Sequence, residues 1–170
     1  MSRILRPLAI PSIIIAAVLL AGCNRNSATG NDREAQLDPA PTPAPMMHAA
    51  NALDNIATAL LKPETMTPAD LAVLAPLAGH CAVRLTEVAR PSFVFAPGAT
   101  GTIKLNGKLI RLPATGELQF AESGVAVTLQ PGTERGDAGL EAIDMILVLP
   151  GAGDEVGYSG FSDCSIGESR

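Results

Sequence analysis

The side chains that could act as bases or nucleophiles are few and lie far apart in this sequence. The chain of 170 residues has two histidines, His48 and His80. Hydrolysis by a serine needs a base beside the hydroxyl group. Ser123 has no G-x-S-x-G frame, and Ser159 and Ser162 have no evident histidine partner. The sequence therefore predicts a protein that is not an enzyme, and a small hydrolase has the least support among its candidate functions.

Metal and phosphate sites are not predicted either. A zinc site needs three or four convergent ligands, whereas His80 and the adjacent Cys81 would point to opposite faces of a strand. Acidic pairs such as Glu134 with Asp137 fall in predicted loops, where solvent explains them. The glycines of segment 151–157 precede no predicted helix, so they do not form a phosphate-binding loop. We expect no metal and no cofactor.

The first 23 residues predict export and a lipid anchor. Arg3 and Arg6 precede a continuous apolar run from Ile13 to Ala21. A membrane-spanning helix needs about 20 apolar residues, so this shorter run is typical of a signal peptide. The sequence LAGC at residues 20–23 resembles the lipobox of bacterial lipoproteins, whose cysteine receives acyl chains such as palmitate. An ordinary signal peptide with an incidental cysteine is the alternative.

This resemblance implies a signal peptide over residues 1–22 and a lipidated Cys23 at the start of the mature protein. In lipoproteins of the Gram-negative type, an Asp after the cysteine tends to retain the protein at the inner membrane. Asn24 in that position implies an outer-membrane location, facing the periplasm. Without the two arginines of the signal peptide, ten basic residues remain against 17 acidic ones, a net charge of −7. Such a charge disfavours nucleic acid as a partner.

Two cysteines remain once Cys23 carries the lipid. An exported compartment is oxidising, so we expect Cys81 and Cys164 to pair, with two free buried thiols or a metal site as alternatives. The bridge would close a loop of about 84 residues and stabilise the fold by about 4 kcal/mol in the chain-entropy view.

Two segments of different composition lie between the start of the mature protein and residue 79. Residues 23–45 form a predicted linker, because the sequence DPAPTPAP at its end favours an extended polyproline II conformation. Residues 46–78 form a predicted helical segment. Apolar residues recur at intervals of three and four from Met46, which predicts a first helix that ends near Lys62. A Thr-Pro-Ala-Asp start predicts a second helix from Pro68 to about Ala75.

From residue 79 onward the apolar residues recur at every second position, which predicts strands. Asn106-Gly107 is a favoured pair for a type I′ turn, so Leu105 should pair with Lys108 and Ile103 with Ile110. Further strands are predicted over residues 80–88, 92–96, 117–120, 125–130, 143–149 and 156–162, the strand 143–149 being central. The expected fold is mainly β, a small antiparallel barrel or sandwich over residues 79–170 that follows two short helices.

Charge is unevenly distributed within this β-domain. Residues 80–113 have a net charge of +4, and residues 114–170 have a net charge of −8. Lys104 and Arg111 could pair with the acidic residues across strands, which would balance the charges internally. Alternatively, an acidic surface attracts a cationic protein of the envelope.

The sequence KLNGKLIRLPATGELQF at residues 104–120 is similar in outline to membrane-bound inhibitors of C-type lysozyme, which are periplasmic lipoproteins. That resemblance implies a small β-barrel and a disulfide near the ends of the domain. Thr115, Gly116 and Phe120 stand where that family has Ser, Gly and Tyr, which implies that they contact the partner.

Together these patterns predict a membrane-anchored envelope lipoprotein whose β-domain is a binding module for an unidentified partner. Inhibition of a cationic C-type lysozyme is the alternative function.

Overall fold

The computed structural model describes residues 41–167, which belong to one compact unit, Pro39–Arg170. The predicted signal peptide, Cys23 and most of the predicted linker lie outside the described residues. Because the unit contains a complete barrel with its own core, it has the features of an independently folding domain.

Residues 41–167 contain nine strands, which form one sheet. Their bounds are β1 Met46–Met47, β2 Cys81–Arg84, β3 Phe93–Ala96, β4 Thr100–Leu105, β5 Lys108–Gly116, β6 Gln119–Glu122, β7 Val125–Arg135, β8 Glu141–Val148 and β9 Val156–Asp163. Strands β2 to β9 each pair antiparallel with the next strand in sequence, and β9 pairs back with β2. The eight strands therefore close a barrel, which confirms one of the two predicted β architectures. Strand β1 is an addition that pairs in parallel with β5.

The second predicted helix is confirmed as α2, Pro68–Leu74. The Thr67 side chain accepts a hydrogen bond from the backbone N–H of Asp70, and the Asp70 carboxylate accepts one from the backbone N–H of Thr67. This reciprocal capping box and the proline at the first helical position fix where the helix begins.

The first predicted helix is present as a single turn, and its predicted extent over residues 46–62 is wrong. The segment instead contains β1, a single helical turn α1 (Ala49–Ala52) and a 3-10 turn (Thr58–Leu60). Backbone hydrogen bonding to β5 extends the chain at Met46 and Met47, and Asn55 adopts a left-handed conformation with φ of 56°. Tertiary pairing therefore overrides the helical spacing of the apolar residues.

The predicted hairpin at Asn106-Gly107 is confirmed with its register. Leu105 pairs with Lys108 and Ile103 with Ile110, and both turn residues have positive φ, as a type I′ turn requires. A second hairpin joins β6 to β7 through Ser123-Gly124. The alternation of side chains along these strands directs their apolar residues into the barrel.

The barrel interior is filled by side chains. Phe93, Phe95 and Phe120 form a cluster with ring centroids 5.4–5.8 Å apart. Gly101 lies against this cluster, and a Cβ atom there would overlap the Phe93 ring. The remaining core residues are aliphatic for the most part and line β4 to β8.

Strand β8 corrects the prediction of a central strand buried on both faces. Ile143, Met145 and Leu147 point into the core, whereas Asp144 and Val148 are exposed. In a closed barrel every strand has one inner and one outer face, so no strand is central. The loop predicted to hold Glu134 and Asp137 is also shorter, because β7 continues to Arg135 and includes Glu134.

A second apolar cluster lies on the outside of the barrel. Met66 packs there with Ala82, Val94 and Leu109, which project outward from β2, β3 and β5. Leu71 and Leu74 of α2 join this cluster. The chain that precedes the barrel therefore covers part of its outer surface.

Candidate functional site

The barrel has a seam at the edge of β5. One edge of β5 pairs with β4 over residues 108–113, so the other edge must serve both β1 and β6. Strand β1 pairs at Leu109 and Ile110, and β6 pairs at Ala114 and Gly116, where the register shifts. We call the interval between these pairings the seam.

The segment that follows β1 fills the seam from within. Ala49, Ala52 and Leu53 are buried in the barrel core beside the aromatic cluster. Thus α1, which directly follows β1 in the chain, contributes two residues to the barrel core.

Glu122 at the end of β6 holds this segment in place. Its Oε2 accepts a hydrogen bond of 2.7 Å from the backbone N–H of Ala49, and its Oε1 lies 2.7 Å from His48 Nδ1. The Ala49 N–H lowers the pKa of Glu122 most, burial opposes it, and His48 lowers it further. An ionised carboxylate only accepts hydrogen bonds, so His48 Nδ1 carries the proton in this contact.

The His48–Glu122 pair has the first two members of a catalytic triad but lacks a nucleophile. Among the hydrogen bonds of residues 41–167, none joins a serine or threonine hydroxyl to His48. His80 Nδ1 lies near the Ala78 carbonyl oxygen instead. The same part of the chain contains no group of three His, Cys, Asp or Glu side chains that could hold a metal ion.

A groove of about 330 Å³ lies on the outside of the seam. Its apolar lining comes from Met46, Met47 and Pro113. Its polar lining comes from Thr100, Arg111 and the His48–Glu122 pair. We call this feature the seam groove; it combines an apolar floor with a cation at the rim.

The predicted balancing of Lys104 and Arg111 by the acidic residues of segment 114–170 is not formed. Lys104 Nζ lies 2.7 Å from Asp70 Oδ2, and Arg111 takes part in none of the ion pairs found within residues 41–167. Over that range, Arg84–Asp163 is the one ion pair that joins segment 80–113 to segment 114–170.

Carboxylates collect on one side of the barrel, which we call the acidic face. Glu87 lies there because its Oε1 accepts a hydrogen bond from the Ala138 backbone N–H, which ties the β2–β3 loop to the β7–β8 loop. With it, Arg135 and Phe161 line a groove of about 420 Å³. The acidic face consists of Glu87, Glu134 and Asp137 of this groove and of Asp144, whose strand partner Ser159 lines it. Glu141 lies beside them and pairs with Arg135 at 2.9 Å.

Three of the basic residues lie on strands that do not adjoin β8. In the ring of eight strands β4 is four places from β8, and β5 is three places from it. Lys104, Lys108 and Arg111 belong to β4 and β5, whereas Glu141 and Asp144 belong to β8. These three basic residues are therefore separated from Asp144 across the barrel, whereas Arg84 and Arg135 lie on β2 and β7.

The predicted site residues lie in different environments in the structure. Cys81 and Cys164 form the predicted disulfide, which joins the start of β2 to the residue after β9. Thr115 is exposed and Gly116 half-buried near the β5–β6 turn. Phe120 is 1% exposed in the aromatic cluster, so its ring cannot contact a partner on the surface. Cys23 lies outside the described residues.

Sequence patterns missed the residues that meet at the seam. The sequence analysis places Met46, Met47 and His48 in a predicted helical segment, and Glu122 falls between two predicted strands. The signal that could have revealed them is the proline alternation that runs up to Pro45, which favours an extended chain into Met46. The partner strand of such an extension is set by tertiary pairing alone.

Residues 19–167 match a family described as a domain of unknown function, DUF6692. The chain belongs to this family. The matched range includes all the strands and both helices of residues 41–167. Neither the curated proteins nor the solved structures contain a match to the chain. Within residues 41–167, no helix has the length and hydrophobicity needed to cross a membrane.

Proposed function

We propose that this protein is a non-enzymatic binding module of the bacterial envelope, anchored to the outer membrane through Cys23 and facing the periplasm. Its acidic face is the surface that binds a cationic envelope protein. The lipobox resemblance at residues 20–23 supports the anchor. The separation of charge across the barrel is the observation that carries the binding role.

The separation matters because charges act together over a limited distance. At physiological salt the Debye length is about 8 Å, so neighbouring carboxylates on one face reinforce each other, while charges across a barrel are screened. The acidic face can therefore attract a cation although Lys108 and Arg111 lie on β5, three strands from β8. Such complementarity raises association rates and excludes anionic partners.

The filled interior directs binding to the outer surface. Barrels that hold small ligands keep an open cavity between their strands. Here Phe93, Phe120 and Met145 occupy the interior and are at most 1% exposed. A partner of this barrel must accordingly contact its wall or its loops.

The binding surface can be tested by neutralising charge on the acidic face. In cells that express the full chain, we would crosslink and capture bound proteins with the variant Glu134→Gln/Asp137→Asn/Asp144→Asn. The control Asp54→Asn/Asp154→Asn/Glu155→Gln removes the same charge from exposed positions outside the acidic face. A basic protein should be captured by the native chain and by the control, and about tenfold less by the face variant. Equal capture by both variants would contradict the proposal.

The anchor is tested by growth with labelled palmitate. The native chain should incorporate the label and fractionate with the outer membrane, and Cys23→Ser should do neither. Equal labelling of the two chains, or no labelling of the native one, would contradict the anchor while leaving the acidic face untouched.

Inhibition of a cationic C-type lysozyme is a second candidate, favoured by the exposed turn after β5. Thr115 and Glu117 are exposed there, and Glu117 takes part in no ion pair within residues 41–167. Residues 24–170 at micromolar concentration should then slow lysozyme turnover, and Glu117→Gln should relieve the effect. Unchanged turnover with the native sequence would eliminate this candidate.

A further inference from the structure

The seam groove has a composition that is unusual for the outside of a barrel. Exposed strand faces are commonly polar, yet its floor is made by Met46, Met47 and Pro113. Met46 is 41% exposed, although its side chain is apolar. Unbranched methionine side chains adapt to ligands of irregular shape. The floor is therefore suited to a flexible alkyl chain.

The rim of the groove carries a positive charge that takes part in none of the ion pairs of residues 41–167. This charge belongs to Arg111, which is exposed. Glu122 is the acidic residue of the lining, but its two oxygens already accept from Ala49 N–H and His48 Nδ1. A guanidinium group presents two parallel N–H donors that match a carboxylate. The rim is thus complementary to an anionic head group.

We propose that the seam groove binds a single-chain anionic amphiphile, with the alkyl chain on Met46 and Met47 and the carboxylate on Arg111. The volume of about 330 Å³ lies at the lower end of the range for small-molecule sites. The site lies at β1, β5 and β6 and shares no residue with the acidic face, so this inference goes beyond the proposed function. A groove of about 330 Å³ encloses a single small molecule and not a bilayer surface, so the occupant is the monomeric amphiphile.

The methionine methyl groups provide the test. In residues 24–170 with ¹³C-labelled methionine methyls, decanoate is added below its micelle concentration. The resonances of Met46 and Met47 should shift and saturate. Met66 and Met145 are fully buried elsewhere, so their resonances should stay in place and report that the fold is intact. Absence of a saturable shift at Met46 and Met47 would overturn the proposal.

The contribution of charge is tested with two arginine variants. Arg111→Gln should weaken decanoate binding by about tenfold or more, because a charge-assisted contact is lost. Arg90→Gln removes the same charge from an exposed position outside the groove and should leave the affinity unchanged.

Decanol, which is uncharged, should bind native protein as weakly as decanoate binds Arg111→Gln. Equal affinity of native protein for decanol and decanoate would overturn the assignment of the head group to Arg111, as would an unchanged affinity in Arg111→Gln. Binding to anionic vesicles without a response to decanoate would overturn the monomeric occupant.

Discussion

Lys104 Nζ and Asp70 Oδ2 are 2.7 Å apart and join α2 to the outer face of β4. The Asp70 side chain is 1% exposed and that of Lys104 is 12% exposed. The carboxylate also accepts hydrogen bonds from the backbone N–H groups of Ala44 and Thr67. The Asp70 side chain thus connects the backbone at Ala44, the start of α2 and strand β4.

Removal of this carboxylate should destabilise the fold strongly. Asp70→Ala leaves Lys104 as a largely buried cation without a partner and frees two backbone donors. We expect the free energy of unfolding to fall by about 3–5 kcal/mol. Asp154→Ala, an exposed control, should change it by less than about 0.5 kcal/mol. Urea unfolding of residues 24–170 measures both, and equal midpoints would contradict the role of the pair.

The same carboxylate should make stability depend on pH in acid. Burial raises the pKa of Asp70, but hydrogen bonds from Ala44, Lys104 and Thr67 outweigh it and lower the pKa to about 2. A folded-state pKa below the unfolded value of 3.8 gives stability that is present above pH 3.8 and is lost as the pH falls toward 2. That contribution is about 2 kcal/mol.

Comparison with a variant isolates this contribution from those of other acidic residues. Hydrogen bonds also lower the pKa values of Glu122 and Asp163, and they act alike in native protein and in Asp70→Asn. Between pH 5 and pH 2 native protein should therefore lose about 2 kcal/mol more than the variant. Parallel losses in the two proteins would contradict the assignment to Asp70.

The disulfide should supply a large part of the stability of the barrel. It joins Cys81 to Cys164 across a separation of 83 residues, beside a β2–β9 pairing of three residue pairs. Replacement of both cysteines by serine should lower the free energy of unfolding by about 4 kcal/mol. Alkylation followed by intact mass measurement tests the bond itself. In residues 24–170, two thiols labelled without reductant would refute it.

Gly101 should tolerate no side chain, for steric reasons alone. A Cβ atom would overlap the Phe93 ring and approach Phe120. Gly101→Ala should lower stability by about 1–3 kcal/mol, the usual range for overpacking. Gly153→Ala places its methyl group in open space and is the matched control. A thermal unfolding comparison in which the two variants behave alike would contradict this view of the aromatic cluster.

Local sequence rules predicted the elements whose determinants are themselves local. The Asn106-Gly107 turn, the capping box at Thr67 and Asp70, and the alternation along β4 and β5 all depend on residues that are close in sequence. The pairing of the two cysteines followed from the predicted compartment. These features were sufficient for a barrel or sandwich but not for a choice between them.

The candidate sites depend on contacts that are distant in sequence, and sequence patterns did not reveal them. Met46 pairs with Leu109 and Ala49 with Glu122, more than 60 residues away in each case. Phe120 was assigned to a partner surface because a motif places it there, whereas the register with Val127 turns its ring into the core. Charge segregation was visible in the sequence, but its distribution over the strands of the barrel needed the strand order.

The central claim is that the acidic face, and not the side that carries Lys108, contacts a cationic envelope protein. A photoreactive amino acid placed at position 144 or at position 108 of the full chain tests it in living cells, since Asp144 and Lys108 lie on β8 and β5. We predict a crosslinked adduct with a basic protein from position 144 and none from position 108. Adducts of equal yield from the two positions, or an adduct from position 108 alone, would contradict the account.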